Sequence, residues 1–428
     1  MKIKTKDMDY EEVCSLPKLH HRKPVRPSRV LAALFRTLSK KELRAAKFTY
    51  EKVGMERLGR REPALFLMNH SCFLDLKMSA VMLKDRPYNI VCTSDGFVGK
   101  EGLMRRFGCI PTQKFVQDVT LIRDMSYVLN KLKSSVLMYP EASYSFDGTA
   151  TPLPESLGKL IKLLGVPVVM IKTEGAFLHD PLYNNLQLRK VKVSATMEYL
   201  LSPKDIAVKT PDEINKILAR KFSFDNFKWQ RENGVLVNEL FRADCLNRVL
   251  YKCPSCGSEG HTEGKGIYLT CTSCGKKYEL TENGQMVALE GGTEFSHIPD
   301  WYKWERESVR KELEDGTYHF EEEVDIRMLV NMNCIYNVGK GILRHDTDGW
   351  TLKGCDGRLN FHVGPLSSYS LYSDYYWYEL GDMICIGDTK VLYYCFPKNT
   401  KDLVAKARLA TEELYKIKKA SRKRIAKQ

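Results

Sequence analysis

Two stretches of this 428-residue chain carry side chains whose types and spacing could do chemistry. In LFLMNHSCFLD, residues 65–75, an apolar run stops at Asn69-His70, and a carboxylate, Asp75, follows five positions after the histidine. Histidine titrates near neutrality and can take a proton from a hydroxyl, and an acceptor on its far nitrogen would fix the tautomer that faces the substrate. On a continuous helix, residues five apart point about 140° away from each other. The pair therefore cooperates only if His70 lies in a strand-to-helix turn and Asp75 in the first helical turn, with Ser71 as a candidate N-cap. Without such a partner, His70 is a structural or surface histidine at a strand end. The second stretch, YKCPSCGSEGHTEGKGIYLTCTSCGKKYEL, sets Cys253-x2-Cys256 fourteen residues before Cys271-x2-Cys274. Four thiolates at that spacing can close a tetrahedron around Zn²⁺ and leave no open position for water, so the site would be structural. A rubredoxin-like iron site is the alternative.

Composition bounds what these groups can serve. With 43% hydrophobic residues the chain can bury a sizeable core divided among several domains. A formal net charge of +14 points to an anionic partner, whether nucleic acid, an anionic membrane surface or a phosphorylated substrate. The thirteen cysteines are odd in number, and Cys92, Cys109, Cys385 and Cys395 stand singly in apolar runs, which suits buried thiols in a reducing cytosol. MKIKTKDMDYEE leads into charge and no run of about 18 apolar residues occurs, so neither a signal peptide nor a spanning helix is expected. The expected location is cytoplasmic, peripheral on the inner face of the membrane.

The elements that must position His70 read as α/β. Short apolar runs (ALFLM, NIVCT, SVLMY, VPVVMI) alternate with helical patterns such as VTLIRDMSYVLNKLKSS and PESLGKLIKLLG, the latter closed by Gly165. In such sheets, ligands bind beyond the carboxyl ends of strands, where His70 falls. Ahead of them, residues 28–48 place Leu31, Leu34, Phe35 and Leu38 on one helical face amid arginines and lysines. That pattern fits an interfacial helix or one docked on its own domain.

Two further clusters complete the pattern: FGCIPTQKF, residues 107–115, bends toward Lys114, and SVLMYPEASYSFDG, residues 135–148, runs a strand into Pro140-Glu141-Ala142-Ser143-Tyr144-Ser145. Together with Asn69, His70 and Asp75 and with Val166-Pro167-Val168-Val169, these blocks resemble, in order, those of the glycerolipid acyltransferase family, typified by 1-acylglycerol-3-phosphate acyltransferase. The resemblance spans roughly residues 45–215. It implies a mixed sheet flanked by helices and an O-acyltransferase moving a fatty acyl group from acyl-CoA or acyl carrier protein to the hydroxyl of a lysophosphatidate-like or related lipid acceptor. His70 and Asp75 would be the general base pair, with Asn69, Lys114, Glu141, Ala142 and Ser143 on the substrate side. The third block departs from the family pattern: Ala142 replaces a glycine that would take positive φ freely, and Ser143-Tyr144 replaces Thr-Arg. Lys114 would then meet an acceptor phosphate as a lone point charge rather than beside a bidentate fork.

The expected organisation is an N-terminal amphipathic, membrane-interfacial segment (1–45), an acyltransferase domain (46–245), a zinc ribbon (246–290), a linker helix (291–317), and a β-rich domain with C-terminal helix and basic tail (318–428). The β-rich part, a meander followed by one helix, could be pleckstrin-homology-like. The final KIKKASRKRIAKQ carries seven basic residues and no acidic one, as a solvated tail or an anchor for anionic lipid. Membrane lipid and acyl thioesters are the expected partners. The competing reading is a non-catalytic zinc-ribbon protein binding nucleic acid or lipid; the ribbon's modest charge and few aromatics weigh against nucleic acid.

Overall fold

The computed structural model describes residues 2–116, 118–398 and 403–425. Among these, the first half of the chain forms a seven-stranded sheet in the order Thr49–Val53, Ser194–Leu201, Val168–Glu174, Leu65–Met68, Ser135–Met138, Tyr88–Thr93, Cys109–Thr112. The last five run parallel, and Ser194–Leu201 opposes Val168–Glu174, so the sheet is mixed as expected. The central strand Leu65–Met68 is buried at every residue, because helices cover both faces. Its alternation sorts the core. Phe66 and Met68 join Leu43, Leu74 and Met78 from the helices Arg29–Ala45 and Leu74–Met82. Leu65 and Leu67 instead meet Met125, Ile161 and Leu218 from the helices Val119–Asn130, Leu157–Leu164 and Pro211–Lys221. Gly165 takes φ 60° and closes Leu157–Leu164, the left-handed cap its position calls for.

The C-terminal half is β-rich. Its sheet runs Leu359–Val363, Gly349–Gly354, Ile335–Asp346, Phe320–Leu329, Leu392–Pro397, Met383–Gly387, Tyr372–Asp374, each antiparallel to the next. A four-strand and a three-strand meander thus join through the first and last strands, and the helix Leu403–Ile425 packs its Val404, Ala407, Leu409 and Ala410 into their core. The helix Ile298–Asp315, capped by Gly316 at φ 72°, lies against it. Between the halves, a four-stranded antiparallel sheet (Met286–Ala288, Lys277–Leu280, Tyr268–Cys271, Thr262–Lys265) forms the ribbon, and its Leu269, Tyr278 and Met286 belong to that same core.

Two expectations about the chain's ends need correction. Residues 1–45 are not one membrane segment. The strand Thr5–Asp7 pairs in parallel with Ile335–Asp346, and Val13 is fully buried in the C-terminal core. Three residues cannot satisfy their own backbone groups, and Ile335–Asn337, the stretch of that interior strand which Gly349–Gly354 leaves uncovered, does so. The amphipathic helix Arg29–Ala45 is docked on Leu74–Met82. The basic run is likewise no separate tail, since the helix continues through it to Ile425 and Lys419 pairs with Glu155 of the first half at 2.5 Å. The end of that run, 426–428, lies outside the described residues. Among the described residues, no helix is long and apolar enough to cross a membrane.

Candidate active site

His70 follows the carboxyl end of the central strand, and Asp75 sits in the first turn of the helix Leu74–Met82, as the spacing requires. The imidazole donates through Nδ1 to Asp75 Oδ2 at 2.9 Å, and the same oxygen accepts the backbone N–H groups of Ser71 at 2.8 Å and Cys72 at 3.1 Å. Asp75 itself therefore caps the turn, in place of the expected Ser71; Phe73 occupies the N-cap position without a side-chain bond. The carboxylate is fully buried and aimed by the backbone, so the histidine tautomer is set with Nε2 left for a reacting proton. Burial draws the His70 pKa below its ordinary 6.5, and the Asp75 partner opposes that only in part. The ring is held neutral near pH 7, ready to accept a proton.

The third sequence cluster fixes His70 from the other side. Glu141 Oε2 accepts the His70 backbone N–H at 3.0 Å, while its Oε1 accepts the Thr151 N–H at 2.8 Å and hydroxyl at 3.1 Å. Burial pushes Glu141 up to about 7 despite these bonds. Ala142 takes φ 56°, the left-handed conformation its glycine counterpart would adopt without strain, and its N–H bonds the Tyr139 carbonyl at 3.0 Å. The turn places two aromatic faces on the imidazole: Tyr139 at 4.2 Å between centroids and Tyr144 at 3.9 Å.

His70, Lys114 and Ala142 line a cavity of about 1480 Å³. One side is apolar, with Val119, Ile122, Met138, Leu157 and Leu160 from the strand and helices beneath. The C-terminal domain supplies the opposite side through Tyr369, Tyr372, Asp374 and Trp377. Lys114 is half-buried here, 4.3 Å from the Tyr372 ring centroid and 5.9 Å from that of Tyr144. Three residues expected on the substrate side do not reach this space. Asn69, Glu141 and Ser143 are at most 1% exposed. Asn69 Oδ1 accepts the Thr173 N–H at 2.8 Å and its Nδ2 donates to Ser71 Oγ at 3.1 Å, tying two strand ends together. Glu141 is spent on the two loops, and Ser143 Oγ donates to the Tyr144 carbonyl at 3.2 Å. All three position the site rather than touch its contents. Conversely, nothing in the spacing marks Tyr139, Asp95 or Asp374, which reach the cavity from separate strands and turns; only Tyr144, standing at the arginine position, carried a signal.

The four sulfurs of Cys253, Cys256, Cys271 and Cys274 all lie within 4.8 Å of one another, with Cys253–Cys274 and Cys256–Cys271 at 3.8 Å. A tetrahedron with metal–sulfur bonds of about 2.3 Å has edges of about 3.8 Å, so the group fits a metal ion. None of the four lines the cavity.

Residues 49–173 match the family model described as Acyltransferase, within the stretch 45–215 over which the four blocks are read. A search of curated proteins finds no match. Among solved structures, the 1-acyl-sn-glycerophosphate (LPA) acyltransferase PlsC from Thermotoga maritima is similar at 15% identity and a TM-score of 0.36, over 45% of this chain and 76% of that one.

The dependence of the His70 turn on Glu141 is testable. In Glu141→Gln the amide nitrogen must face a backbone N–H that the carboxylate accepted. The variant should lose about 1–3 kcal/mol of stability, read as a lowered denaturant midpoint. An unchanged midpoint would mean that the two loops hold their places without it.

Proposed function

We propose that this protein is an O-acyltransferase of glycerolipid type, moving a fatty acyl group from acyl-CoA or acyl carrier protein to the hydroxyl of a lipid acceptor. The observation that supports it most is the His70–Asp75 pair at 2.9 Å opening on a large cavity with one apolar side. The acceptor hydroxyl gives its proton to His70 Nε2 as its oxygen attacks the thioester carbonyl. The tetrahedral intermediate then collapses, the C–S bond breaks, and the imidazolium returns the proton to the departing sulfur. Asp75 holds the imidazolium that forms between these steps. No enzyme nucleophile is needed, and Cys72 suits none, since burial raises its thiol far above the usual range. The apolar side suits an acyl chain.

Peripheral membrane contact, on the cytoplasmic face, is part of this reading. The helix Arg29–Ala45 exposes Val30, Leu34 and Leu38 in one row, flanked by Arg29, Lys40 and Lys41. Phe73 and Leu76, also exposed, stand at the start of the helix on which it docks and line the cavity. An apolar row beside basic residues is what an interfacial helix presents to anionic lipid. The cysteine cluster is assigned to structural zinc, which supplies folding energy to a small module.

His70→Ala should reduce acyl transfer by about 10²–10⁴-fold with the fold intact, and Asp75→Asn should impair it strongly by offering an N–H to Nδ1. Because the depressed His70 pKa keeps the ring neutral to lower pH, the acid limb of kcat/KM should fall below pH 6.5; activity surviving in His70→Ala would overturn the assignment. Metal analysis should find one zinc per chain, and Cys271→Ser should unfold the ribbon, whereas a metal-free, folded ribbon would count against zinc. Sedimentation with anionic vesicles should weaken as salt rises and in Leu34→Glu/Leu38→Glu, and binding indifferent to both would exclude this helix as the contact.

A further inference from the structure

We propose that the acceptor enters with a neutral, hydroxyl-rich headgroup held between Lys114 and the segment 369–378, and that this compartment does not admit a phosphate monoester. This rests on the acyltransferase reading and adds the class of acceptor. The compartment is built by both halves of the chain. Lys114 ends the strand-and-bend cluster of the first half; Tyr369, Tyr372, Asp374, Tyr376 and Trp377 come from the second.

Charge decides the class. Lys114 lies over the face of Tyr372 and beside that of Tyr144, the residue standing where the family blocks carry arginine. Burial and the Arg408 guanidinium weaken the Lys114 ammonium, while two buried carboxylates that line the same cavity, Asp374 and Asp95, support it. Asp95 is fixed there by the Tyr372 hydroxyl at 2.7 Å and the Trp377 indole N–H at 3.2 Å. One ammonium thus faces two carboxylates in a space walled by aromatic rings. A phosphate monoester, bringing about −1.5 to −2 charges at pH 7, would be desolvated beside the Asp95 carboxylate and beside Asp374, whose carboxyl, held up at about 7 by burial, would have to stay protonated to avoid a second like charge.

No second arginine relieves this. Arg408, the buried guanidinium behind the site, donates to the Tyr144 carbonyl at 3.2 Å and to Glu412 at 3.3 Å and stacks on Phe146, and it does not line the cavity. The remaining lysines of the cavity, Lys159, Lys416 and Lys419, come from two helices, and Lys416 and Lys419 are paired with Glu413 and Glu155. A neutral polyol meets the compartment's chemistry instead. Its hydroxyls can donate to Asp374 and accept from Lys114, and its C–H faces can lie on tyrosine rings. Burial holds the Asp374 carboxyl up at about 7, with Lys114 pulling the other way, so either protonation state can bond a hydroxyl.

Binding tests this without requiring turnover. Full-length protein is titrated calorimetrically with a monoacylglycerol carrying one neutral hexose, with lysophosphatidate of the same chain length, and with the free hexose. The glycosylated ligand should bind at least about tenfold more tightly than lysophosphatidate, the ratio that 1.4 kcal/mol provides. Weak binding of the free hexose would assign the headgroup to a lipid; equal binding would assign a soluble polyol of the same class. Asp374→Asn should narrow the preference by improving lysophosphatidate binding, and Lys114→Gln, which removes a charge from the same wall, should leave lysophosphatidate no weaker. Lysophosphatidate binding as tightly as the neutral ligand, or losing tenfold or more in Lys114→Gln, would overturn the inference. Neutral-ligand binding without any acyl-CoA turnover would count against acyl transfer alone and leave the compartment's selectivity standing.

Discussion

The Asp75 carboxylate is the point on which the site turns. One oxygen takes three donors, the His70 imidazole and the N–H groups of Ser71 and Cys72, in complete burial. A buried carboxylate is tolerated only when its lone pairs are used, and here their use is what bends the chain from strand to helix. The same bond set therefore caps the helix, folds the turn and orients the histidine. Glu141 repeats the device across the gap, holding the next loop to the His70 backbone. The local geometry of the site is thus over-determined by two carboxylates from different strand ends, and this accommodates the strained φ of Ala142 between them.

The second half of the chain is tied to that turn rather than merely attached. Arg306 bonds Glu412 at 2.6 Å and Glu413 at 3.1 Å; Glu412 also accepts from Ser370, and Arg408 reaches from Glu412 to the Tyr144 carbonyl. Glu412 is held down at about 2 against its burial because two guanidiniums face it. Removing one member of such a buried network leaves an uncompensated charge, so the helices Ile298–Asp315 and Leu403–Ile425 keep a single register against the loop that stacks on His70. The ribbon shares the core of these helices through Tyr278 and Trp301, whose rings meet at 5.0 Å, and Trp301 donates to the Lys252 carbonyl beside the first cysteine knuckle. The cysteine cluster thus sits within this frame and outside the cavity.

Short-range patterns were legible because the chemistry that reads them is local. The His70–Asp75 spacing demanded a turn at that place, two Cys-x2-Cys knuckles demanded one cluster, and Gly165 closed the helix its position marks. Alternating strands and helices likewise set the α/β class, since burial on two faces leaves no other pattern for runs such as Leu65–Met68. What the residue types left open was where each side chain points. Asn69, Glu141 and Ser143 belong to the acyltransferase-like blocks, yet they face backbone amides and neighbouring side chains instead of the cavity, because buried loop ends must be satisfied before anything can bind.

Tertiary structure alone decided who else stands at the site. Asp374 and Tyr372 lie some 260 residues beyond Lys114 in the chain and come to it only because a meander joins through its first and last strands and docks by a buried ionic network. The short strand at Thr5–Asp7 finds its partner more than 300 residues away, on the stretch of Ile335–Asp346 that Gly349–Gly354 leaves unpaired, because unpaired backbone groups accept whichever segment can complete them. Sequence spacing by itself determined the His70–Asp75 pair, the cysteine cluster and the sheet class, all of which depend on neighbours within a turn or two. The charge and shape of the space around His70 depend on contacts across the chain, and no local spacing encodes those.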